Sequence, residues 1–435
     1  MVKYIMLVLL IPLSSLFCLD CSIYAARREA VREHLGPSSV MIIFTSPVVI
    51  RNGDVEYEWR PDSDYWYLTR HPEPKSCLIL TSNHSDIICN QFTQELLFTR
   101  PRNPHIEVWT GKRLGIKGVK STLNLNYVTT TDSLKYYLDE ILPQVDTLFL
   151  NRRIPKDECN IPDFLIDMIA NGTFEVLFAG EIILPLRHIK SQNEITLLKK
   201  AVTITGHGLE QAIRRVKPGL TENQIEATIE FIFREEGSKR TGFPSIIGSG
   251  PNSTILHYTK NDRLMHKGDM LLMDVGAEYQ MYTADITRTI PVSGKFTEEQ
   301  EELYLYVLEA QKLAFDSVRV GMTLMDLHKI AKRYLDNVGF GQYFIHFIGH
   351  WLGLDAHDAG SYKSEIQVGT VFTIEPGIYI SYNDTTADEK YRGIGIRIED
   401  DILMTEDGPI LLSKNILKDV KDIEALMRRR PKRRM

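Results

Sequence analysis

Apolar residues recur at helical spacing in several long stretches and at strand spacing in many short ones. The segment from Lys190 to Val216 carries Ile195, Leu198, Ala201 and Ile204 on one helical face, and Ser191 followed three residues later by Glu194 forms a capping box at its start. Helices are also predicted over Ala26 to His34, over Glu222 to Glu236 after the Pro218-Gly219 break, and over Glu298 to Val318 after Gly294. Short apolar runs at Val40 to Thr45, Cys77 to Thr81 and Thr147 to Leu150 read as strands. Strands alternating with helices in the first part predict an α/β domain. The second part reads as helices packed on a largely antiparallel sheet, with a domain junction near Pro185.

At 435 residues the chain is too long for one ordinary core. The expected organisation is an apolar leader at 1–21, an α/β domain at 22–184, a second domain at 185–427 and a basic tail at 428–435. Hydrophobic residues make up 43% and charged residues 25%, the composition of a globular protein. The net charge of -6 gives no reason to expect a nucleic-acid partner. The six Lys or Arg among the last eight residues read as a solvated terminus.

Lys3 and the apolar run Ile5 to Leu13 have the charge and length of a signal peptide, although no clean small-x-small cleavage site follows. Export is favoured, with a cytoplasmic enzyme bearing an uncleaved extension as the alternative. No run approaches the ~20 apolar residues of a spanning helix, so no stable membrane span is expected. Cysteines at 18, 21, 77, 89 and 159 show no paired zinc spacing, and Cys18-x-x-Cys21 lacks the strand and helix context of a redox motif.

The candidate chemistry lies in the second part. Met270 to Ala277 and Met281 to Ile290 are β-prone runs with a polar break at Tyr279-Gln280, which predicts a hairpin. A two-residue loop there pairs residues whose numbers sum to 559, placing Asp274 opposite Asp285 at about 5 Å between Cβ atoms. Two carboxylates so placed repel by about 4 kcal/mol at 4 Å and an effective dielectric near 20. A shared proton or a divalent cation would offset that, or the pair is solvated on an exposed face. His346, His350 and His357 fall within twelve residues of a chain with only 12 His, a density that favours function. Glu375 follows an apolar run in the β-prone stretch Val371 to Ile380, and Glu399 ends the Gly393 to Ile398 strand. Four carboxylates balance two divalent cations, and oxygen-rich ligation with one imidazole favours Mn²⁺, Co²⁺, Fe²⁺ or Mg²⁺. Two close metals suit a hydrolase.

At these positions the chain resembles the Xaa-Pro aminopeptidases, the aminopeptidase P branch of the pita-bread metallopeptidases. The motifs are Asp274-Val275-Gly276, Asp285-Ile286-Thr287-Arg288-Thr289, His350-Trp351-Leu352-Gly353-Leu354-Asp355, Ile374-Glu375-Pro376-Gly377 and Gly395-Ile396-Arg397-Ile398-Glu399-Asp400. Asp62 to Thr69 and Glu107-Val108-Trp109 extend the similarity into the first part. The resemblance implies a pita-bread second domain of helices on a curved, largely antiparallel sheet, and two divalent ions, foremost Mn²⁺. Asp285 and Glu399 would bridge them, Asp274 would hold one, and His350 with Glu375 the other.

The same resemblance implies that a hydroxide bridging the metals attacks the bond before proline in peptides with proline at the second position. Glu375 would move protons, and His257 and His357 would contact substrate or stabilise the tetrahedral intermediate. His346 would line the proline pocket. Arg397, Tyr379, Asp64 and Arg187 would form a supporting polar network, and Trp109 would be a first-domain aromatic that reaches an active site, in a homo-oligomer. Bland readings stand beside these: Trp109 as core, Arg397 as a structural ion pair, Tyr379 as an ordinary strand aromatic. Thr69-Arg70-His71 departs from the family's Gly and aromatic, which puts the local turn in question. The rival readings are a prolidase, which cleaves only Xaa-Pro dipeptides, and a non-catalytic binding protein of the same fold.

Overall fold

The computed structural model describes residues 22–85, 87, 89, 94–153 and 161–429. The apolar leader with Cys18 and Cys21, the thiol of Cys159 and the tail from residue 430 on lie outside them. Two compact units divide between Ile183 and Leu184. The division falls inside a helix, Gly180–His188, which contains Pro185. Ile182, Ile183 and Leu184, just before Pro185, thus belong to that helix.

The first unit is built on one six-stranded sheet. Its order is Val128–Thr130, Glu95–Thr99, Cys77–Thr81, Ser39–Phe44, Thr147–Leu150, Glu175–Phe178. Cys77–Thr81 runs antiparallel to both neighbours, and the other pairings are parallel. Ser39–Phe44 is buried at every position, as a central strand covered on both faces must be. Cys77 and Cys89 are buried free thiols.

In the second unit, sharply defined helix starts follow from local chemistry. Ser191/Glu194, Thr221/Gln224, Thr297/Gln300 and Thr323/Asp326 each form a capping box, at the heads of helices Gln192–Arg215, Glu222–Glu235, Glu298–Ser317 and Leu324–Asn337. Ile195, Leu198, Ala201 and Ile204 are all buried, as their spacing requires. The described strands of this unit pair antiparallel throughout, in several small sheets. Helices and sheets close around one large apolar core that includes Leu209, Ile229, Leu271, Met273, Ile286, Leu303, Phe372 and Ile396.

Two hairpins build the centre of this unit, and the first corrects an expectation. Met270–Val275 pairs with Ile286–Pro291 so that Asp274 faces Thr287 and Val275 faces Ile286, and Tyr279 faces Tyr282 further along. Partner numbers sum to 561 (274 + 287), not 559. The loop is Gln280-Met281, both in left-handed backbone at φ 49° and 77°, and the extra strand residue is Tyr279. A two-residue shift preserves the face each side chain occupies. Asp274 and Asp285 therefore remain on one face, as diagonal rather than facing neighbours. Asp285 stands across from Gly276, where a Cβ would lie 1.8 Å from the Ala284 carbonyl oxygen; only glycine fits.

The second hairpin is long and broken. Val371–Ile374 pairs with Asp400–Thr405, and Gly377–Ile380 with Ile394–Arg397. Ile374 with Asp400 and Gly377 with Arg397 both sum to 774, so one register runs through the break and sets Glu375 opposite Glu399. The predicted strand Val371 to Ile380 is thus two strands, interrupted at Glu375-Pro376 because proline has no N–H for the ladder. The glutamates turn their own N–H groups outward, Glu375 to the Ile348 carbonyl at 2.7 Å and Glu399 to the Thr287 carbonyl at 3.2 Å.

Candidate metal centre

Asp274, Asp285, His350, Glu375 and Glu399 line one cavity of about 600 Å³ in the second unit, with His257, His346, His357 and Arg397. Asp274 and Asp285 are buried, which removes the reading of a solvated pair on an exposed face. Atoms of Asp285, His350 and Glu399 lie within 4.8 Å of one another, a spacing that could hold an ion.

The protonation of this cluster follows from its geometry. Burial, then His357, lowers His350 to about 4, so its ring is neutral at physiological pH. Nδ1 lies 3.2 Å from the Trp351 carbonyl and must carry the hydrogen, since that carbonyl can only accept. The Nε2 lone pair then faces Asp285 Oδ2 at 3.3 Å and Glu375 Oε1 at 3.5 Å. A lone pair and two carboxyl oxygens thus converge, a gathering that only a proton on a carboxyl or a cation among them relieves. Asp274 Oδ1 and Glu399 Oε1, both buried, have no hydrogen-bond partner among the described residues.

Burial, compounded by neighbouring carboxylates, pushes Asp285 and Glu399 well above the usual carboxylate range. Burial raises Glu375 to about 8, although Arg397 pulls the other way. A site that penalises its own negative charge in this way fits a set of cations.

Arg397 ties the rim together. Its guanidinium donates to Asp274 Oδ2 at 2.5 Å, to Tyr379 Oη at 2.8 Å and to Thr287 Oγ1 at 3.1 Å. Thr287 Oγ1 in turn donates to Glu399 Oε2 at 2.7 Å. His346 is lowered to about 3 by burial and by Arg397. Its Nδ1 reaches the Phe347 carbonyl at 2.7 Å and its Nε2 the Tyr379 hydroxyl at 2.8 Å, so Tyr379 donates to His346 while accepting from Arg397. His357 stacks on His350 with ring centres 4.1 Å apart, and burial lowers its pKa.

The other candidates have surroundings of their own. Arg187 pairs with Asp355 at 2.7 Å and with Asp358, which Lys190 also contacts at 3.0 Å. These cations hold Asp358 down at about 2 despite its burial. Asp64 is buried in the first unit, on helix Ser63–Thr69. Arg70 closes that helix in left-handed backbone at φ 56°, so the turn forms without the glycine. Trp109 is 87% exposed on helix Pro104–Thr110, which removes its reading as core.

Several supporting residues escaped sequence reasoning. Thr287 was within reach of it, since in period-two alternation it shares a face with Asp285. Glu222 is fully buried and accepts from Ser249 N and Oγ, Asn252 Nδ2, Tyr258 Oη and Arg263 N at 2.6–3.1 Å. It thereby anchors both ends of the loop that carries His257. Asp401 accepts from the Asp285 N–H at 3.2 Å.

Residues 196–406 match the model of metallopeptidase family M24, and residues 24–149 match that of the aminopeptidase P N-terminal domain; the class is that of a metallopeptidase. The Xaa-Pro aminopeptidase of Haemophilus influenzae is 36% identical over 93% of this chain and 96% of its own length. The aminopeptidase of Pseudomonas aeruginosa superposes with a TM-score of 0.88 at 32% identity, over 94% of this chain and 98% of that one. Aminopeptidase P from Escherichia coli with the inhibitor Pro-Leu gives 0.86 at 32% identity, over 94% and 98%. The chain belongs to the Xaa-Pro aminopeptidase family of M24 metallopeptidases and is a metallo-aminopeptidase. Among the described residues no helix is long and apolar enough to cross a membrane.

Proposed function

We propose that this chain releases the N-terminal residue from peptides whose second residue is proline, with two divalent cations held by Asp274, Asp285, His350, Glu375 and Glu399. The observation that carries this reading is the neutral His350 lone pair facing two carboxylates beside buried oxygens without donors. Four carboxylates match the charge of two dications, and a donor set rich in oxygen favours Mn²⁺. Bound there, the cations would polarise the scissile carbonyl and bring the pKa of water to ~7.

The remaining work belongs to side chains. Glu375 stands where a carboxylate can take the proton of the attacking water and pass it to the leaving nitrogen. His357 and His257 line the same cavity and can donate N–H to the developing oxyanion. The nitrogen of an Xaa-Pro bond is tertiary and has no N–H to satisfy. The neutral His346 and the apolar face of Phe347 offer that ring a surface making no such demand. The Pro-Leu inhibitor of the Escherichia coli relative begins with proline, as does the peptide left when the first residue of Xaa-Pro-Yaa is released.

The test is release of the first residue from Xaa-Pro-Yaa, followed by mass spectrometry before chelation, after exhaustive chelation and after Mn²⁺ is restored. The expected pattern is loss and recovery; full activity after chelation overturns the reading. Cleavage of an Xaa-Pro dipeptide with the tripeptide left intact would instead assign a prolidase.

A further inference from the structure

Pro376 leaves a gap in the second hairpin. In the register that sums to 774, Pro376 stands opposite Ile398, and the Ile398 N–H donates to the Pro376 carbonyl at 3.4 Å. Proline cannot return that bond, so the Ile398 carbonyl loses its ladder donor. The replacement comes from helix Glu298–Ser317. Gln311, buried there, donates through Nε2 to the Ile398 carbonyl at 3.0 Å and to the Ile374 carbonyl at 3.2 Å. These carbonyls belong to the peptide groups that lead into Glu399 and Glu375. Gln311 Oε1 accepts from Lys418 Nζ at 2.8 Å, which fixes the orientation of the amide, and Lys418 also donates to Asp400 Oδ2 at 2.5 Å.

We infer that Gln311 is a positioning residue whose side-chain amide holds the two peptide planes presenting Glu375 and Glu399, and so sets the spacing of the cation site. This inference deepens the proposed function and rests on it. Groups that orient metal ligands without touching the metal typically change affinity 10- to 100-fold when removed. A glutamine that merely satisfied buried carbonyls would affect stability alone. A cavity of about 290 Å³ lies beside the amide, lined also by Asp400 and Lys418, so water can reach the carbonyls when the amide is lost.

The experiment uses the full chain, freed of metal, with Gln311→Met as the variant of matched length. Calorimetric titration with Mn²⁺ is expected to show affinity reduced tenfold or more. Assays on Xaa-Pro-Yaa at saturating Mn²⁺ are expected to show a lower kcat at unchanged KM, and the unfolding temperature in chelator should stay near the parent's. Lys418→Met, which frees the amide to rotate, is expected to weaken affinity less but in the same direction, and carries the test should Gln311→Met fail to fold. Parent-like Mn²⁺ affinity in the folded variants overturns the inference, whatever happens to stability. A parent chain that binds no Mn²⁺ instead overturns the proposed function, before any variant is compared.

Discussion

Asp274 and Asp285 avoid direct opposition by lying on a diagonal, whereas Glu375 and Glu399 stand face to face; in each hairpin one register runs through a gap in the ladder, at Gly276 and Ala284-Asp285 in the first and at Glu375-Pro376 in the second. In the first hairpin, cross-strand neighbours on a diagonal are about 7–8 Å apart, and Arg397 reaches Asp274 at 2.5 Å. In the second, Arg397 Nε lies 4.0 Å from Glu375 Oε2, and each glutamate N–H leaves the hairpin for another segment, as the Asp285 N–H does in the first. Offset or opposed, the carboxylates are gathered where the strands part, and other elements take up the backbone groups freed there: Thr205, Gly242 and Asp401 in the first hairpin, the Ile348 and Thr287 carbonyls in the second.

The largest effects should test whether the two hairpins contribute equally. Asp285→Ala and Glu399→Ala are each expected to lower kcat/KM on Xaa-Pro-Yaa by about a thousandfold or more, near 4 kcal/mol, measured at saturating Mn²⁺. A variant that kept a tenth of parental activity would show that its hairpin is dispensable to the centre.

Next in size is the pH response of stability without cations. The Glu375 carboxyl sits at about 8, above its ordinary 4.5, so the native state holds a proton that the unfolded chain releases. Stability contributed in this way is complete below about pH 4.5 and is lost as pH rises through 8. Denaturant unfolding of the metal-free chain should therefore weaken over that window by on the order of a few kcal/mol. With Mn²⁺ present the slope should reverse, since cations compete with that proton and bind better as pH rises. A flat profile without metal would mean that burial does not hold the Glu375 carboxyl in its protonated form.

Sequence and structure agree best where chemistry is local. Capping boxes such as Ser191/Glu194 announce helix starts, and Cys77–Thr81 and Thr147–Leu150 begin and end where their apolar runs do. The candidate site residues were legible because carboxylates and histidines in apolar runs are costly and therefore informative. The first hairpin's register was not, since Gln280 and Met281 lack the Asn or Gly that usually marks a left-handed turn. The face of each aspartate survived that error only because side chains alternate with period two. Gln311 and Glu222 were invisible for another reason. Their bonds go largely to peptide groups or loops distant in sequence, and nothing in a glutamine marks which carbonyl it will find.

Backbone crowding separates the hairpins further. Gly276→Ala puts a Cβ 1.8 Å from the Ala284 carbonyl oxygen, a backbone atom that cannot swing aside, and should cost about 3 kcal/mol in denaturant unfolding. Gly377→Ala in the second hairpin first meets the Tyr379 hydroxyl and ring edge, at 2.5–2.7 Å, a side chain that can give by a small ring shift where backbone cannot. Its cost should be clearly smaller, about 1 kcal/mol, with the greater harm to activity because the Tyr379 bond to Arg397 is disturbed. Equal destabilisation would mean that the Tyr379 ring is held as firmly as the Ala284 backbone.

The smallest effect concerns the turn that sets the first register. Gln280 occupies left-handed backbone at φ 49°, which costs an ordinary L-residue roughly 1 kcal/mol and asparagine less. Its buried side-chain Oε1 also has no partner among the described residues. Gln280→Asn relieves the backbone without adding the unfolded-state freedom that glycine would bring. Thermal unfolding should therefore show a gain of about 0.5 kcal/mol, with Mn²⁺ affinity unchanged because the register stays at 561. Were affinity to rise as well, the parent turn would be straining the Asp274 and Asp285 diagonal, and the first hairpin would depend on its ends as the second does.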